Sequence, residues 1–169
     1  MKLWVLVYCD TNVYCRPFDD QSQPRIKAET DAFLGILERA QDNRIALVSS
    51  DILVAEIRRI SNVPKRRLVE LYLAYCAQRI SATLKVVQIA DELVKQCQLK
   101  SKDAFHTASA CEAHVPYFLT CDDRVINKNE PISETTKRLG FEVKVLNPLG
   151  FLSFVDLDQQ EKENNHAKD

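Results

Sequence analysis

The sequence has little of the material that many small folds require. Its 169 residues include only three glycines, at positions 35, 140 and 150, and six prolines. These are too few turn residues for a many-stranded sandwich, and they exclude a collagen-like or glycine-linker chain. No apolar run approaches the roughly 18 residues that a membrane helix requires. Because a chain of this length can bury roughly 70% of its unfolded surface, we expect one compact soluble domain.

The sequence also lacks the cysteine patterns of metal sites and disulfide frameworks. None of the six cysteines belongs to a C-x-x-C pair, and most lie in apolar runs. We interpret them as small buried side chains of a protein in the reducing cytoplasm. The apolar stretch at residues 3–9 is too short for a signal peptide and has no small-residue cleavage site. The cysteines are Cys9, Cys15, Cys76, Cys97, Cys111 and Cys121.

Hydrophobic patterns divide the chain into alternating strands and helices. Strands are predicted at residues 3–9, 45–48, 84–89, 117–120 and 141–146. Helices are predicted at residues 24–40, 51–60, 64–78, 90–98, 101–113 and 133–139, with a polar loop between the first strand and the first helix. Ser50 and Ser101 are predicted helix caps, and Pro64 a first-turn proline. This order predicts a three-layer α/β/α sandwich with a mostly parallel central sheet over residues 1–150.

The end of the chain differs in composition from the rest. From residue 156 onward it is polar and rich in charge, with almost nothing apolar to bury. We therefore predict that residues 151–169 are a C-terminal extension that is disordered from about residue 156.

Two aspartates stand where open α/β sheets bind their ligands, beyond the carboxyl ends of the strands. Asp10 directly follows the first predicted strand, and Asp122 shortly follows the fourth. For either residue alone, capping of the next helix or turn is the more common role. The two aspartates are therefore candidates for a ligand site, and the alternative is that each one only caps the helix or turn that follows it.

Two further acids lie on predicted helices. Glu56 borders the apolar face that Leu53 and Ile57 form, and a carboxylate that faces inward requires a cation or hydrogen-bond donors. Asp103 falls in the first turn of its helix, where acids are common because they complement the helix dipole. Four acids at one edge of a sheet would repel one another unless a cation joins them. Oxygen ligands of this kind suit Mg²⁺ or Mn²⁺, which can activate water and polarise a phosphodiester without a catalytic Ser, Cys or His.

Four segments combine the candidate acids with the predicted strands and helices. They are YCDTN at residues 8–12, with the D-x-N after an opening strand, and SSDILVAEI at residues 49–57, with the helix glutamate. The others are LKSKDAFHTASA at residues 99–110, with the third acid, and FLTCDD at residues 118–123, with the strand that ends in T-x-D. In their order and spacing these segments resemble the PIN-domain nucleases, and the resemblance covers about residues 3–146.

This resemblance implies an α/β/α sandwich in which four acids bind Mg²⁺ or Mn²⁺ and hydrolyse RNA. The implied metal ligands are Asp10, Glu56, Asp103 and Asp122, where Asp122 is preferred to Asp123 because it completes T-x-D. Asn12, Thr120 and Asp123 are expected as polar neighbours of these ligands. Many members are dimeric toxins of toxin-antitoxin pairs, so a homodimer and a small antitoxin are implied partners. The long acidic loop at residues 16–26 and the extra C-terminal length depart from a compact toxin.

Basic residues offer a candidate surface for an RNA backbone. Residues 58–67 hold five basic side chains and no acid, although a solvated helix and loop surface is the alternative interpretation. His106 lies one turn from Asp103 and is interpreted as a packed or surface histidine. The candidate phosphate contacts are Arg16, Arg58, Arg59, Lys65, Arg66, Arg67, Lys102 and Arg124.

Two other functions remain open at this point. A phosphatase with a nucleophilic Asp10 would require D-x-D after the first strand, where this chain has Asn12. A binding module whose acids no longer turn over substrate would retain RNA or a partner without cleaving it.

The net charge of -1 gives no case for a nucleic-acid partner when it is taken over the whole chain. Residues 156–169, however, hold five acids and two lysines, which leaves 21 basic and 19 acidic residues in the rest of the chain. If a metal neutralises the four candidate ligands, the balance there becomes 21 against 15. The average therefore hides a basic body, an acidic pocket and an acidic tail.

Overall fold

A single parallel sheet forms the centre of the molecule. The computed structural model describes residues 5–156, and within that range five strands pair in the order β3-β2-β1-β4-β5, each parallel to its neighbours. The strands are β1 Val5–Cys9, β2 Ile45–Ser50, β3 Cys76–Ile80, β4 Tyr117–Leu119 and β5 Lys144–Leu146. The first two residues of the predicted opening strand and the predicted tail beyond residue 156 lie outside the described residues.

Helices connect the strands. They are α1 Thr11–Cys15, α2 Pro24–Gln41, α3 Asp51–Arg58, α4 Val63–Tyr72, α5 Leu84–Cys97, α6 Ser101–Glu112, α7 Asp123–Ile126, α8 Asn129–Arg138 and α9 at residues 148–156. Short 3₁₀ turns at Arg16–Phe18 and Leu73–Tyr75 extend α1 and α4. None of the helices between residues 5 and 156 is long and apolar enough to cross a membrane.

Helices cover both faces of the sheet. Phe118 of β4 packs on His106 of α6, with ring centroids 6.4 Å apart, whereas its neighbour Tyr117 packs on Phe151 of α9 at 5.3 Å. Successive strand residues point to opposite faces, so α6 and α9 lie on opposite sides of β4. An ion pair joins α2 to α9, and α5 packs between α6 and α8. The predicted α/β/α sandwich is therefore confirmed.

The strand predicted at residues 84–89 is wrong, because these residues begin α5. Thr83 caps this helix by accepting a hydrogen bond from the Val86 N–H. The buried positions 86, 89, 90, 93 and 97 follow the helical period, while Val87 is 37% exposed. A short apolar run does not by itself distinguish a buried strand from one face of a helix.

The third strand instead lies at Cys76–Ile80, where the predicted helix 64–78 was extended too far. Helix α4 ends at Tyr72, and β3 forms the edge of the sheet with its middle residues exposed. A half-exposed edge strand lacks the continuous apolar run that marked the buried strands. Three smaller corrections also apply: residues 11–15 are helical rather than loop, β5 is shorter than predicted, and Lys100 rather than Ser101 is the N-cap residue of α6.

The strand order places a crevice next to β1. The chain runs outward from β1 to β2 and β3, and then continues on the other side of β1 with β4 and β5. Open sheets of this kind bind ligands beyond the carboxyl ends of the strands at such a reversal. Asp10 lies in this crevice, because its backbone N–H donates to the carbonyl of Leu119 at 2.8 Å and so extends the pairing of β1 with β4.

Candidate metal centre

Asp10 is buried, with 1% of its surface exposed. We call it and the other three candidate ligands, Glu56, Asp103 and Asp122, the acidic cluster. Its Oδ2 accepts hydrogen bonds from Asn12 Nδ2 at 2.8 Å and from Thr120 Oγ1 at 2.9 Å. All of α1 is described, yet the Asp10 carboxylate accepts no capping hydrogen bond from that helix. The alternative that Asp10 is only a cap therefore does not hold, and Asn12 and Thr120 lie where the sequence analysis expected them.

Glu56 faces Asp10 from α3. The predicted cap Ser50 is confirmed, since its Oγ accepts a hydrogen bond from the Leu53 N–H at 3.1 Å and fixes the start of that helix at the end of β2. One helical turn further on, Glu56 reaches the crevice with 19% of its side chain exposed. The cap thus sets the position of the carboxylate in the crevice.

Polar contacts keep the Glu56 carboxylate ionised. Oε2 accepts hydrogen bonds from Thr11 Oγ1 and, at 2.9 Å, from His106 Nε2, while Oε1 lies 3.5 Å from Lys102 Nζ. Burial raises the pKa of Glu56, but these hydrogen bonds and the nearby positive charge outweigh it, so that the pKa falls below its usual value.

His106 joins the two carboxylates. It is fully buried, and its Nε2 lies 3.5 Å from Asp10 Oδ1 as well as 2.9 Å from Glu56 Oε2. One ligand atom from each of the three side chains lies within 4.8 Å of the others. The interpretation of His106 as a packed or surface residue therefore missed its place in the site. The available signal was the spacing of three from Asp103, which places both residues on one face of α6.

Asp103 lies in the first turn of α6 and feels the charge of the other acids. Burial raises the pKa of its carboxyl, and the negative charges of Asp10 and Asp122 raise it further, against a smaller opposing effect of Lys102. The structure thus brings Asp103 close enough to Asp10 and Asp122 for mutual repulsion.

The tandem aspartates after β4 point to different partners. Asp122 does cap α7, as its alternative interpretation expected, because its carboxylate accepts a hydrogen bond from the Arg124 N–H. It also accepts one from the Arg124 guanidinium; both bonds lower its pKa, and its charge acts on Asp103. Asp123 instead accepts hydrogen bonds from both terminal nitrogens of Arg25, at 2.7 and 2.6 Å. The geometry therefore associates Asp122, rather than Asp123, with the acidic cluster.

The cluster fits a divalent cation. Asp10 Oδ1 is buried and has no hydrogen-bond partner among the described residues, a costly state for an anionic oxygen unless a cation is its partner. The side-chain atoms around it that could bind a metal are mostly carboxylate oxygens, which suit Mg²⁺ or Mn²⁺. The negative charges of Asp10 and Asp122 also act on Asp103, so a cation would relieve this repulsion as well as satisfy Oδ1.

The basic residues differ in how far they are free to meet a substrate. Arg58, Arg59 and Arg67 are exposed, and Lys102 stands at the mouth of the cluster beside Glu56. Four others are engaged in contacts within the protein. Lys65 lies 3.8 Å from Asp19, Arg66 donates to the carbonyl of residue 60, Arg124 binds Asp122, and Arg16 binds Asp19 and Glu29.

Glu29 is a buried acid that the sequence analysis did not single out. It lies on α2 with no exposed surface, and Arg16 and Arg25 approach its two oxygens at 2.6 and 2.9 Å. Asn147 Nδ2 donates to it as well, at 3.2 Å. Since Arg25 also holds Asp123, this network ties α2 to the start of α7, next to the crevice.

Comparisons with known proteins agree with this geometry. Residues 7–130 match the family model described as the PIN domain, while no curated protein matches the chain. Among solved structures, the chain is similar to "Crystal structure of VapBC2 from Rickettsia felis bound to a DNA fragment from their promoter". The TM-score is 0.53 at 14% identity, and the match covers 84% of this chain and 99% of that chain. At this identity the likeness concerns the fold alone.

Proposed function

The chain belongs to the PIN-domain family of nucleases, and on that premise we propose that it is a metal-dependent endoribonuclease. The observation that carries the proposal is the buried Oδ1 of Asp10, which has no hydrogen-bond partner among the described residues and faces a second, ionised carboxylate. An inward-facing pair of acids without sufficient counter-charge suits a site that takes up a cation.

Asp10, Glu56, Asp103 and Asp122 would hold Mg²⁺ or Mn²⁺ in this proposal. A bound cation of this kind supplies activation of the attacking water and neutralisation of charge on the phosphodiester. The protein's own groups prepare Asp10 for this role. Asn12 and Thr120 hold Oδ2 of Asp10 and leave Oδ1 for the ion.

A basic rim would hold the RNA backbone. Lys102 lies beside Glu56, the exposed Arg58 and Arg59 lie at the end of α3, and the exposed Arg67 lies on α4. Phosphate contacts of this type add affinity without reading sequence, and each one lost lowers the salt dependence of binding. Arg16 is a poorer candidate, because Glu29 and Asp19 already occupy its guanidinium.

We also propose that the protein is the toxin of a toxin-antitoxin pair and forms a homodimer in the cytoplasm. The family resemblance supports this, and so do apolar side chains on the surface of α4, where Leu68 is 49% exposed and Leu71 64%. A small antitoxin would be the partner. Co-purification of a small protein encoded beside this one would support the assignment.

Cleavage of RNA by the purified protein tests the proposed function. We expect cleavage of a mixed single-stranded RNA pool with Mn²⁺ or Mg²⁺, none with EDTA, and a loss of at least about a hundredfold for Asp10→Asn. Asp91→Asn, on the exposed side of α5, is the matched control and should cleave like the wild type. Equal cleavage by Asp10→Asn contradicts the proposal. Retention of RNA without cleavage in any divalent metal would instead identify the binding module, and covalent phosphate on Asp10 the phosphatase.

A further inference from the structure

A line of buried hydrogen bonds runs behind the acidic cluster, and the proposed hydrolysis does not use it. Ser50 Oγ lies 2.6 Å from Tyr8 Oη, Tyr8 Oη lies 2.7 Å from His106 Nδ1, and His106 Nε2 lies 2.9 Å from Glu56 Oε2. Tyr8 and His106 have no exposed surface, and Ser50 has 1%. We call these three residues the Ser50–Tyr8–His106 chain.

The acceptor at its end determines the direction of every bond in this chain. An ionised carboxylate only accepts hydrogen bonds, so His106 Nε2 must carry the proton that points to Glu56. In a neutral imidazole Nδ1 is then an acceptor, and the Tyr8 hydroxyl must donate to it. The Ser50 hydroxyl in turn donates to Tyr8, while Ser50 Oγ accepts the capping bond from α3. All three side chains are satisfied in this arrangement.

The opposite direction leaves a proton without a partner. If His106 Nε2 used its lone pair for a metal, Nδ1–H would donate to Tyr8 and Tyr8 to Ser50. The Ser50 hydroxyl proton would then have no acceptor among the described residues, which is unfavourable in a buried site. Magnesium and manganese also prefer oxygen ligands to imidazole.

We infer that the Ser50–Tyr8–His106 chain positions Glu56 for metal binding, with His106 as the Nε2–H donor to Oε2 and not as a ligand. The inference rests on the proposed function, since it assigns a metal to this cluster. Tyr8 and His106 are then positioning residues, because they act through Glu56. Outer-shell partners of metal ligands change affinity by roughly 10–100-fold when they are removed.

Two measurements on the metal-free and Mn²⁺-loaded protein test the geometry. Long-range ¹H–¹⁵N correlation of ¹⁵N-histidine protein without metal is expected to show His106 as the Nε2–H tautomer, with the exposed His114 as internal reference. Pulsed electron paramagnetic resonance of the Mn²⁺ form is expected to show no coupling from a directly bound imidazole nitrogen. A proton on Nδ1 of His106, or a directly bound imidazole, overturns the inference.

Variants test the positioning role through Mn²⁺ affinity measured by calorimetry. Tyr8→Phe removes one hydroxyl and should weaken Mn²⁺ binding about tenfold. Tyr14→Phe should bind like the wild type, because that equally buried tyrosine contacts Cys76 instead. His106→Gln retains an N–H within reach of Glu56 and should bind more tightly than His106→Asn, which is too short to reach it.

The outcomes separate the inference from the function on which it rests. Folded Tyr8→Phe protein with wild-type affinity overturns the inference alone, and so does equal affinity of the Gln and Asn variants. Circular dichroism identifies the folded variants, and the tautomer measurement on the wild type requires no variant at all. Failure of the wild type itself to bind Mn²⁺ overturns the proposed function, and the inference with it.

Discussion

Two groups of acids lie side by side in this protein, and they are compensated in opposite ways. Glu29 and Asp123 receive their counter-charges from within the chain, through Arg16 and Arg25. The acidic cluster of residues 10, 56, 103 and 122 pairs with Lys102 and Arg124, which are two cations for four acids, and a buried oxygen of Asp10 has no hydrogen bond among the described residues. Burial of a carboxylate is common to both groups, so burial alone does not distinguish them.

The two groups differ in the source of the positive charge that offsets their carboxylates. Arg25 reaches Glu29 at 2.9 Å and Asp123 at 2.6 Å, so one guanidinium joins two acids of distant segments. Such a network fixes the position of α7 against α2. In the acidic cluster the charges of Asp10 and Asp122 instead raise the pKa of Asp103. A group of acids that repel one another in the folded protein suits a cation from solution.

Removal of the Glu29 charge should give the largest change in stability. Glu29→Gln leaves Arg16 and Arg25 without their buried partner, and breaking a buried ion pair costs about 3 kcal/mol or more. We expect the free energy of unfolding, measured with urea in EDTA, to fall by that amount while the folded fraction binds Mn²⁺ normally.

The matched change in the other group is Asp10→Asn. It should lose Mn²⁺ binding while the free energy of unfolding changes by less than about 1 kcal/mol, because Asn12 and Thr120 can still hydrogen-bond to the new amide. If both variants lost stability equally and kept equal metal affinity, the distinction between the two groups would be wrong.

The neighbours Asp122 and Asp123 allow the comparison to be made within one dipeptide. Asp122→Asn should weaken Mn²⁺ binding about tenfold, or by about 1.4 kcal/mol, because its charge belongs to the acidic cluster. Asp123→Asn should leave the affinity unchanged and lower the stability only slightly, because an exposed ion pair contributes little. Calorimetric titration of both variants with Mn²⁺ measures the difference, and a larger loss of affinity in Asp123→Asn would reverse the assignment.

The sequence allowed the sheet and its layers to be predicted because most strands are continuous apolar runs. It failed at the edge of the sheet, where β3 is half exposed and carries no such run. It failed again at residues 84–89, because a few consecutive apolar residues fit a strand as well as one face of α5. Both errors concern segments whose burial is decided by what packs against them.

The candidate site was predictable to the extent that it follows local pattern. Asp10 and Asp122 follow strands, and Glu56 borders an apolar helix face, so their positions could be derived from strand ends and periodicity. His106 shares a helix face with Asp103, but its contact with Glu56 could not be derived from that pattern, and neither could the pairing of Glu29. Their partners are distant in the chain, since His106 meets Glu56 over 50 residues and Glu29 meets Asn147 over 118. Whether a buried acid is paired with arginines or left as a candidate metal ligand depends on the tertiary structure, which local sequence patterns do not reveal.

The smallest expected effect concerns Asp103 and has a defined dependence on pH. Burial and the charges of Asp10 and Asp122 raise its pKa in the folded protein above the unfolded value. Ionised Asp103 therefore destabilises the fold above the raised pKa, and this penalty is relieved as the pH falls through that value. Asp103→Asn should thus raise the free energy of unfolding in EDTA at pH 7 by up to about 1 kcal/mol.

This gain should disappear as the pH approaches the unfolded-state pKa of an aspartate, because the wild-type carboxyl is then neutral as well. Saturating Mn²⁺ should reverse the order of stability, since only a protein that binds the ion tightly is stabilised by it. Urea unfolding at pH 7 and in acid, with and without Mn²⁺, measures both effects, and Asp91→Asn controls for the loss of one exposed charge. A variant that is less stable than the wild type in EDTA at pH 7 would show that the acids do not repel one another, and the contrast with the arginine-paired acids would be lost.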